Sequence, residues 1–189
     1  MKKQKYIIIA LICALVATLG LWYGEHRQME SLSQSYDNCI KECYQGGFIK
    51  LYHYYSDLVD LLEAHQETNS RDRMFEVALD NQLHAITRTS SDISSIANRI
   101  APETQTPLSK ELADYLVFHD LEETVRTNLE EENNIEELKR VFEKHLERLK
   151  DLVIPQKGAD NDFMDDKNQL KIKQLLEEMQ KEIENIEST

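Results

Sequence analysis

Beyond residue 24, apolar residues recur at steps of three and four, the spacing that places side chains on one face of an α-helix. The first such face begins at Met29 and continues through Leu32, Tyr36, Cys39 and Cys43. After Gly46-Gly47 the pattern resumes in a shifted phase, through Phe48, Leu51, Tyr55, Leu58, Leu62 and His65. The shift is compatible with a stutter in one continuous helix. It is equally compatible with a break, because two glycines inside a helix cost about 2 kcal/mol relative to alanine.

Further helical segments follow this first one. A stop at Asn69-Ser70 precedes a second helix, predicted from about Arg73 to Ile100. A third is predicted to begin at Pro107, where the missing N–H of proline costs nothing, with Thr106 as its cap. The fourth has the cleanest apolar face in the chain: Ile135, Leu138, Phe142, His145, Leu149 and Leu152. Because residues 130–134 are acidic but contain no helix breaker, the third and fourth helices are also compatible with a single rod.

The composition agrees with helices rather than sheets. Glycine and proline, which favour turns, number only five and three in the chain. We therefore expect an all-α fold: an antiparallel helical bundle with coiled-coil-like seams over residues 25–154. A linker over residues 155–166 then leads to a C-terminal amphipathic helix over residues 167–189, whose apolar positions are Ile172, Leu176, Met179, Ile183 and Ile186.

The start of the chain has a different character. No residue from Tyr6 to Tyr23 is charged, and three lysines lie within residues 1–5. A bilayer core accommodates about 20 apolar residues as a helix, so residues 6–24 are predicted to be a single transmembrane anchor that contacts lipid. Because basic residues beside a span stay in the cytoplasm, the N-terminus should be cytoplasmic and the body extracytoplasmic. A cleaved secretory signal is the alternative, although the run exceeds the roughly 7–15 apolar residues of a signal core.

Charge and motifs exclude several classes of function. The chain carries 22 Lys and Arg against 35 Asp and Glu, a net charge of −13, which argues against nucleic acid as a partner. A glycine-rich phosphate loop, Gly-x-Ser-x-Gly and His-Glu-x-x-His are all absent from the sequence. We therefore predict no catalytic residue, no cofactor and no enzyme activity.

Cys39 and Cys43 are the first candidates for chemistry. They could fill a seam as small hydrophobic residues, form a disulfide within or between chains, or bind a metal with His53 as a third ligand. A disulfide between positions i and i+4 of a helix is strained, so an intrachain bridge requires the helix to end near Gly46-Gly47. The zinc interpretation lacks a second ligand pair at the usual spacing.

The histidines and tyrosines complete the list of candidates. His65, His119 and His145 fall on apolar faces, whereas His26, His53 and His84 fall on polar ones; the Glu-x-x-His spacing of di-metal bundles is absent around the five from His53 to His145. The run Tyr52-His53-Tyr54-Tyr55 cannot all face one side of a helix. Its exposed members make it the predicted interaction patch, with Tyr52, Tyr54 and Tyr55 as candidates.

The predicted function is therefore that of a non-enzymatic, single-pass membrane protein. Its extracytoplasmic helices would bind another protein or a second copy of the same chain, as in a scaffold, adaptor or sensor. The alternative is a metal- or redox-responsive sensor or carrier that uses Cys39, Cys43 and a nearby histidine.

Overall fold

The computed structural model describes residues 2–68, 73–100, 107–118, 121–130, 134–154 and 163–186. It describes the side chains in these ranges except those of residues 2–14, 17, 67, 68, 107, 108, 117, 118, 122 and 130. Every regular element in these ranges is an α-helix, which confirms the predicted all-α fold.

The described ranges contain six helices. They are α1 (Lys2–Thr68), α2 (Arg73–Ala97), α3 (Pro107–Phe118), α4 (Leu121–Glu130), α5 (Asn134–Val153) and α6 (Asp166–Ile186). By its contacts the chain divides into two compact units, Met1–Cys39 and Ile40–Thr189.

The first unit consists of the N-terminal part of α1. The described side chains from residue 15 onward are exposed along almost its whole length. Within the part of the chain that the structure describes, no helix combines the length and the apolar character needed to cross a membrane. Most side chains of the predicted anchor, residues 6–24, lie outside the described set.

The second unit is built on an antiparallel pair, the rest of α1 and α2. Near one end of the pair Gly47 lies against Ile93, and near the other His65 stacks on Phe75 with ring centroids 4.2 Å apart. Between them, Nε2 of Gln82 donates to the backbone oxygen of Tyr54 at 2.6 Å. These contacts fix which residues of the two helices lie at the same level.

The remaining helices complete the bundle around a shared core. α5 and α6 run antiparallel, because Lys144 pairs with Glu182 and Arg148 with Glu178, one turn further along α5 and one turn back along α6. The hydroxyl of Tyr44 lies 3.1 Å from the backbone oxygen of Ser109 and 3.2 Å from Oε1 of Gln169. This fully buried side chain therefore joins α1, α3 and α6.

The apolar faces predicted for the second unit form its core. All five predicted core positions of α6 are buried, as are Ile135, Leu138, Phe142, His145 and Leu149 on α5. α1 continues through Gly46-Gly47 without a break, so the phase shift is a stutter. An ideal Cβ at Gly47 would lie 2.6 Å from Cγ1 of Ile93, which explains why glycine occupies this close contact between helices.

Two details differ from the sequence prediction. α4 ends at Glu130 and α5 begins at Asn134, and the two helices pack against each other, so a single rod is wrong. An unbroken rod would leave both apolar faces without this packing. Phe163, within the predicted linker, is buried against the rings of Tyr44 and Phe48 at 5.9 Å and 5.4 Å, because an aromatic side chain gains most by leaving water. The predicted cap Thr106 and linker residues 155–162 lie outside the described residues.

Candidate functional site

One concave surface of the second unit is a groove between α1 and α2. Its volume is about 690 Å³, within the range of small-molecule sites. The residues that line it are Cys43, Gly46, Gly47, Lys50 and Tyr54 on the α1 side, and Asn81, His84, Ala85, Arg88, Thr89, Asp92, Ser95, Ile96 and Arg99 on the α2 side. We call this feature the α1–α2 groove.

Two adjacent glycines give the groove its floor. Gly47 allows α2 to approach closely through Ile93, whereas an added Cβ at Gly46 would meet no atom within 4 Å. Space therefore remains open beside Gly46, next to the point where the helices are in tight contact. The groove results from helix packing at one glycine and an absent side chain at the other.

The helix register places two cations opposite each other. The contact of Gly47 with Ile93 and the hydrogen bond from Gln82 to Tyr54 put Lys50 of α1 level with Arg88 of α2. Arg99 lies in the turn after α2, about 16 Å further along the helix direction, since each residue rises about 1.5 Å. The groove thus has a pair of cations at one level and a third cation toward its Cys43 end.

These three cations differ from four basic residues of the α5–α6 region. Lys139, Lys144, Arg148 and Lys173 each lie within 3.0 Å of a carboxylate oxygen. Within the ranges that the structure describes, neither Lys50 nor Arg88 nor Arg99 has a carboxylate within ion-pair distance. In a chain of net charge −13, their positive charge is thus available to a bound group.

The other polar groups of the groove can bind and orient a ligand. Asn81, Thr89 and Ser95 offer amide and hydroxyl groups, and Asp92 lies one helical turn from Arg88. Ile96 and Ala85 supply apolar surface. This mixture suits a small polar molecule with an anionic group.

A second, smaller hollow lies beside α5 and α6. Its volume is about 420 Å³, and its charged lining mixes Glu137 and Glu182 with Arg140 and Lys144. Beside it His145, only 1% exposed, has Nε2 at 3.3 Å from Oε2 of Glu182. Both of its ring nitrogens are buried, and neither has a well-aligned hydrogen-bond partner among the described residues. The mixed charges here favour no single class of ligand.

The cysteines do not occupy the predicted seam. Cys39 and Cys43 are both exposed thiols and form no disulfide with each other. The seam passes instead through neighbouring positions, where Ile40 and Tyr44 are buried. Neither cysteine therefore fills a seam of the bundle core, because the buried face of α1 is rotated by one residue relative to the predicted one.

The structure does not bring His53 to the cysteines. Because α1 is continuous, His53 lies ten residues and about 15 Å along the helix from Cys43, on a different side. No three residues among the described histidines, cysteines, aspartates and glutamates are grouped closely enough to bind a metal ion. This separation keeps the His53 side chain away from an ion bound by Cys43.

The tyrosine patch is smaller than predicted. Tyr55 is buried and packs on Phe142 at a ring distance of 5.8 Å, so its place in an exposed patch is wrong. Tyr52 and Tyr54 are half-buried, and Tyr54 lines the α1–α2 groove.

The histidine predictions are confirmed for the five described residues: His65 and His145 are buried, and His26, His53 and His84 are exposed. His119 lies outside the described residues.

The first unit presents an exposed apolar face of its own. Met29, Leu32 and Tyr36 are 69%, 63% and 62% exposed, and Cys39 continues the same heptad spacing. We call these four residues the Met29 face. The sequence predicted this face but placed it in the bundle core.

Sequence reasoning missed the α1–α2 groove. Lys50, Arg88 and Arg99 resemble ordinary solvated charges when each helix is considered alone, and only the helix register brings two of them level. The one available signal was the pair of glycines, which was interpreted as a possible break. No protein-family model, no curated protein and no solved structure matches this chain.

Proposed function

We propose that this chain is a non-enzymatic, single-pass membrane protein that self-associates through the Met29 face. The uncharged segment 6–24 anchors it in the bilayer, and the acidic helical body lies outside the cytoplasm. Its function is to bring copies of the body together at the membrane, as a scaffold, an adaptor or the dimerising part of a sensor.

The exposed side chains of the first unit carry the proposal. Among the described residues, nine of the twelve large exposed hydrophobic side chains lie between Leu15 and Tyr36. A helix that exposes so much apolar surface is stabilised when lipid or another protein covers that surface. Leu15 to Tyr23 fall within the proposed anchor, so lipid covers them, whereas the Met29 face lies beyond it and needs a protein partner.

The spacing and charge of the Met29 face favour a second copy as that partner. Met29, Leu32, Tyr36 and Cys39 follow alternating steps of three and four, the pattern of a coiled-coil seam. Two anchored copies enter the membrane in the same direction, so their seams meet in parallel and in register. Between residues 28 and 36 only Glu30 is charged, so this stretch avoids the repulsion expected between two acidic chains.

Cross-linking of the whole chain in its membrane tests self-association. In a Cys13→Ser, Cys43→Ser background, Cys39 is the remaining cysteine, and mild oxidation should give a disulfide-linked dimer. Leu32→Glu should abolish the dimer because it places like charges opposite each other within the seam. Gln34→Glu adds the same charge on the opposite side of the helix and should leave the dimer intact.

A register control makes this experiment sharper. Moving the single cysteine from position 39 to 38 turns the thiol away from the seam, so cross-linking should fall strongly. Equal cross-linking at both positions, or a monomer for the unmodified chain in nanodiscs, would contradict self-association through this face. Titration of Cys39 and Cys43 before and after oxidation tests the redox-responsive alternative, which requires reversible oxidation within one chain.

Protease treatment of intact cells and spheroplasts tests the anchor and its orientation. With a tag at the C-terminus, external protease should remove the tag while a short N-terminal fragment stays with the membrane. A tag that is protected in intact spheroplasts but cleaved after lysis would place the body in the cytoplasm. Release of the uncleaved body by carbonate washing would argue against an anchor.

A further inference from the structure

We infer that the α1–α2 groove binds a small organic anion, whose carboxylate or phosphate group lies between Lys50 and Arg88. This binding activity is independent of the self-association proposed above, since it uses residues of the second unit only.

The position of the two cations carries the inference. Lys50 and Arg88 lie at one level on opposite walls of the α1–α2 groove, and neither has a carboxylate partner among the residues with described side chains. A guanidinium group donates two parallel hydrogen bonds to a carboxylate or phosphate, and an ammonium group adds a compact charge. Two such groups that line one space can both donate hydrogen bonds to a single oxyanion.

The floor of the groove gives this oxyanion room. Because Gly46 has no side chain and an added Cβ would meet nothing within 4 Å, a ligand can approach the backbone of α1 beside Lys50. The total volume of about 690 Å³ exceeds that of a simple inorganic ion and fits an organic molecule of moderate size.

The rest of the lining defines the class of molecule more closely. Asp92 lies one turn from Arg88 in the direction of Arg99, so it can accept a hydrogen bond from a ligand hydroxyl or ammonium group. Thr89 and Ser95 can donate to further oxygens. Arg99 offers a second, weaker site for negative charge near the Cys43 end. The expected ligand is therefore a hydroxylated or aminated organic acid, or a small phosphate ester.

Calorimetric titration of the whole chain tests the inference. The protein is held in a non-ionic detergent without phosphate groups, and inorganic phosphate, pyrophosphate and citrate are the probes. At least one probe should bind saturably with one site per chain. Arg88→Gln, and Lys50→Gln as a second variant, should each weaken binding about tenfold or more, as expected when a charged hydrogen bond is lost.

Two further variants separate the groove from general charge effects. Gly46→Leu fills the groove without changing any charge and should also weaken binding about tenfold or more, because the side chain occupies the space of the ligand. Lys150→Gln removes an exposed lysine on α5 outside the groove and should leave the affinity unchanged. The thermal transition by circular dichroism shows that each variant is folded.

The inference is overturned by any of three results. The first is that none of the probes binds saturably at millimolar concentration. The second is that Lys150→Gln weakens binding as much as Arg88→Gln does. The third is that folded Gly46→Leu retains full affinity while Arg88→Gln loses it, which would place the anion on the outer surface.

Discussion

Two adjacent glycines in α1 have opposite surroundings. At Gly47 an added methyl group meets the buried side chain of Ile93, and at Gly46 it meets nothing. Identical residues at neighbouring positions thus serve different purposes: one permits close packing of two helices, and the other leaves a space. Helix propensity alone treats the two positions as equal.

The two positions should therefore respond differently to alanine. Gly47→Ala should lower the free energy of unfolding by about 1–3 kcal/mol, because the β-branched Ile93 is fully buried and the helices must move apart. Gly46→Ala should raise it by about 0.5–1 kcal/mol, since alanine favours the helix and has room. Urea denaturation of the whole chain in detergent, followed by circular dichroism, measures both.

Equal effects of the two substitutions would show that the close contact at Gly47 is absent in solution. Gly47→Ser provides a second measurement, because its slightly larger side chain should cost at least as much as alanine at the same position.

At the level of single residues, the sequence predicted which side chains are buried better than it predicted which residues they contact. The burial of His65 and His145 followed from helical periodicity, because each lies in line with neighbouring apolar residues. Periodicity also placed Tyr55 on the apolar face of α1, and only its inclusion in the exposed patch was wrong. The two cysteines were misplaced because cysteine is found both in cores and on surfaces, so residue type could not decide between them.

At the scale of helices, α5 and α6 are held together by charge as well as by apolar contact. Lys144 lies 2.6 Å from Oε1 of Glu182, and the imidazole of His145 lies 3.3 Å from Oε2. The hydrogen bond from Lys144, followed by the adjacent His145, holds the pKa of Glu182 below its ordinary value. Glu182 is thus the central acceptor between these two helices.

Acid should weaken the α5–α6 interface through Glu182. Because its pKa is lowered in the folded state, its contribution to stability is present above about pH 4.5 and is lost as the pH falls through the folded value. Glu182→Gln should cost about 1 kcal/mol or less at neutral pH, as the carboxylate is partly exposed. The unfolding free energies of this variant and the unmodified chain should converge as the pH is lowered to 3.

A matched substitution tests the special position of Glu182. Glu178→Gln removes the neighbouring pair with Arg148, in which both side chains are about half exposed, and should cost less at neutral pH. Parallel stability curves for Glu182→Gln and the unmodified chain from pH 7 to pH 3 would contradict the proposed role of this carboxylate.

Periodicity predicted the positions of the helices well but not how the helices pack against one another. The predicted start at Pro107 and the stop before Asn69 agree with α3 and α1, because local sequence governs where helices begin and end. The end of α4 at Glu130 was not evident, because residues 131–133 include no glycine or proline that would oppose a helix. The α1–α2 groove could not be predicted from the sequence either, because it depends on the register between two helices.

At the scale of the molecule, the bundle core includes tyrosine hydroxyl groups. Tyr44 is fully buried and Tyr55 is 3% exposed. Burial raises the pKa of both tyrosines above the ordinary value of 10.0, because the ionised phenolate is poorly solvated inside the bundle. The folded protein thus keeps these groups protonated where the unfolded chain loses its protons.

Alkaline solution should therefore unfold the molecule. The stabilising effect of a raised tyrosine pKa is fully present below about pH 10 and is lost above it, by about 1.4 kcal/mol per pH unit for each buried tyrosine. Tyr55→Phe should make this loss less steep by about one proton, because phenylalanine has no hydroxyl to ionise. Urea denaturation between pH 9 and pH 11 measures the slope, and identical slopes for the variant and the unmodified chain would contradict the prediction.

The vacancy beside Gly46 has a consequence for how the protein can change over time. A small side chain there reduces the volume of the cleft while the helices keep their spacing, since an added Cβ meets no atom within 4 Å. A substitution at this one codon could thus change the size of the molecule that fits the cleft without loss of folding. A substitution at the neighbouring codon, for Gly47, would instead push α1 and α2 apart.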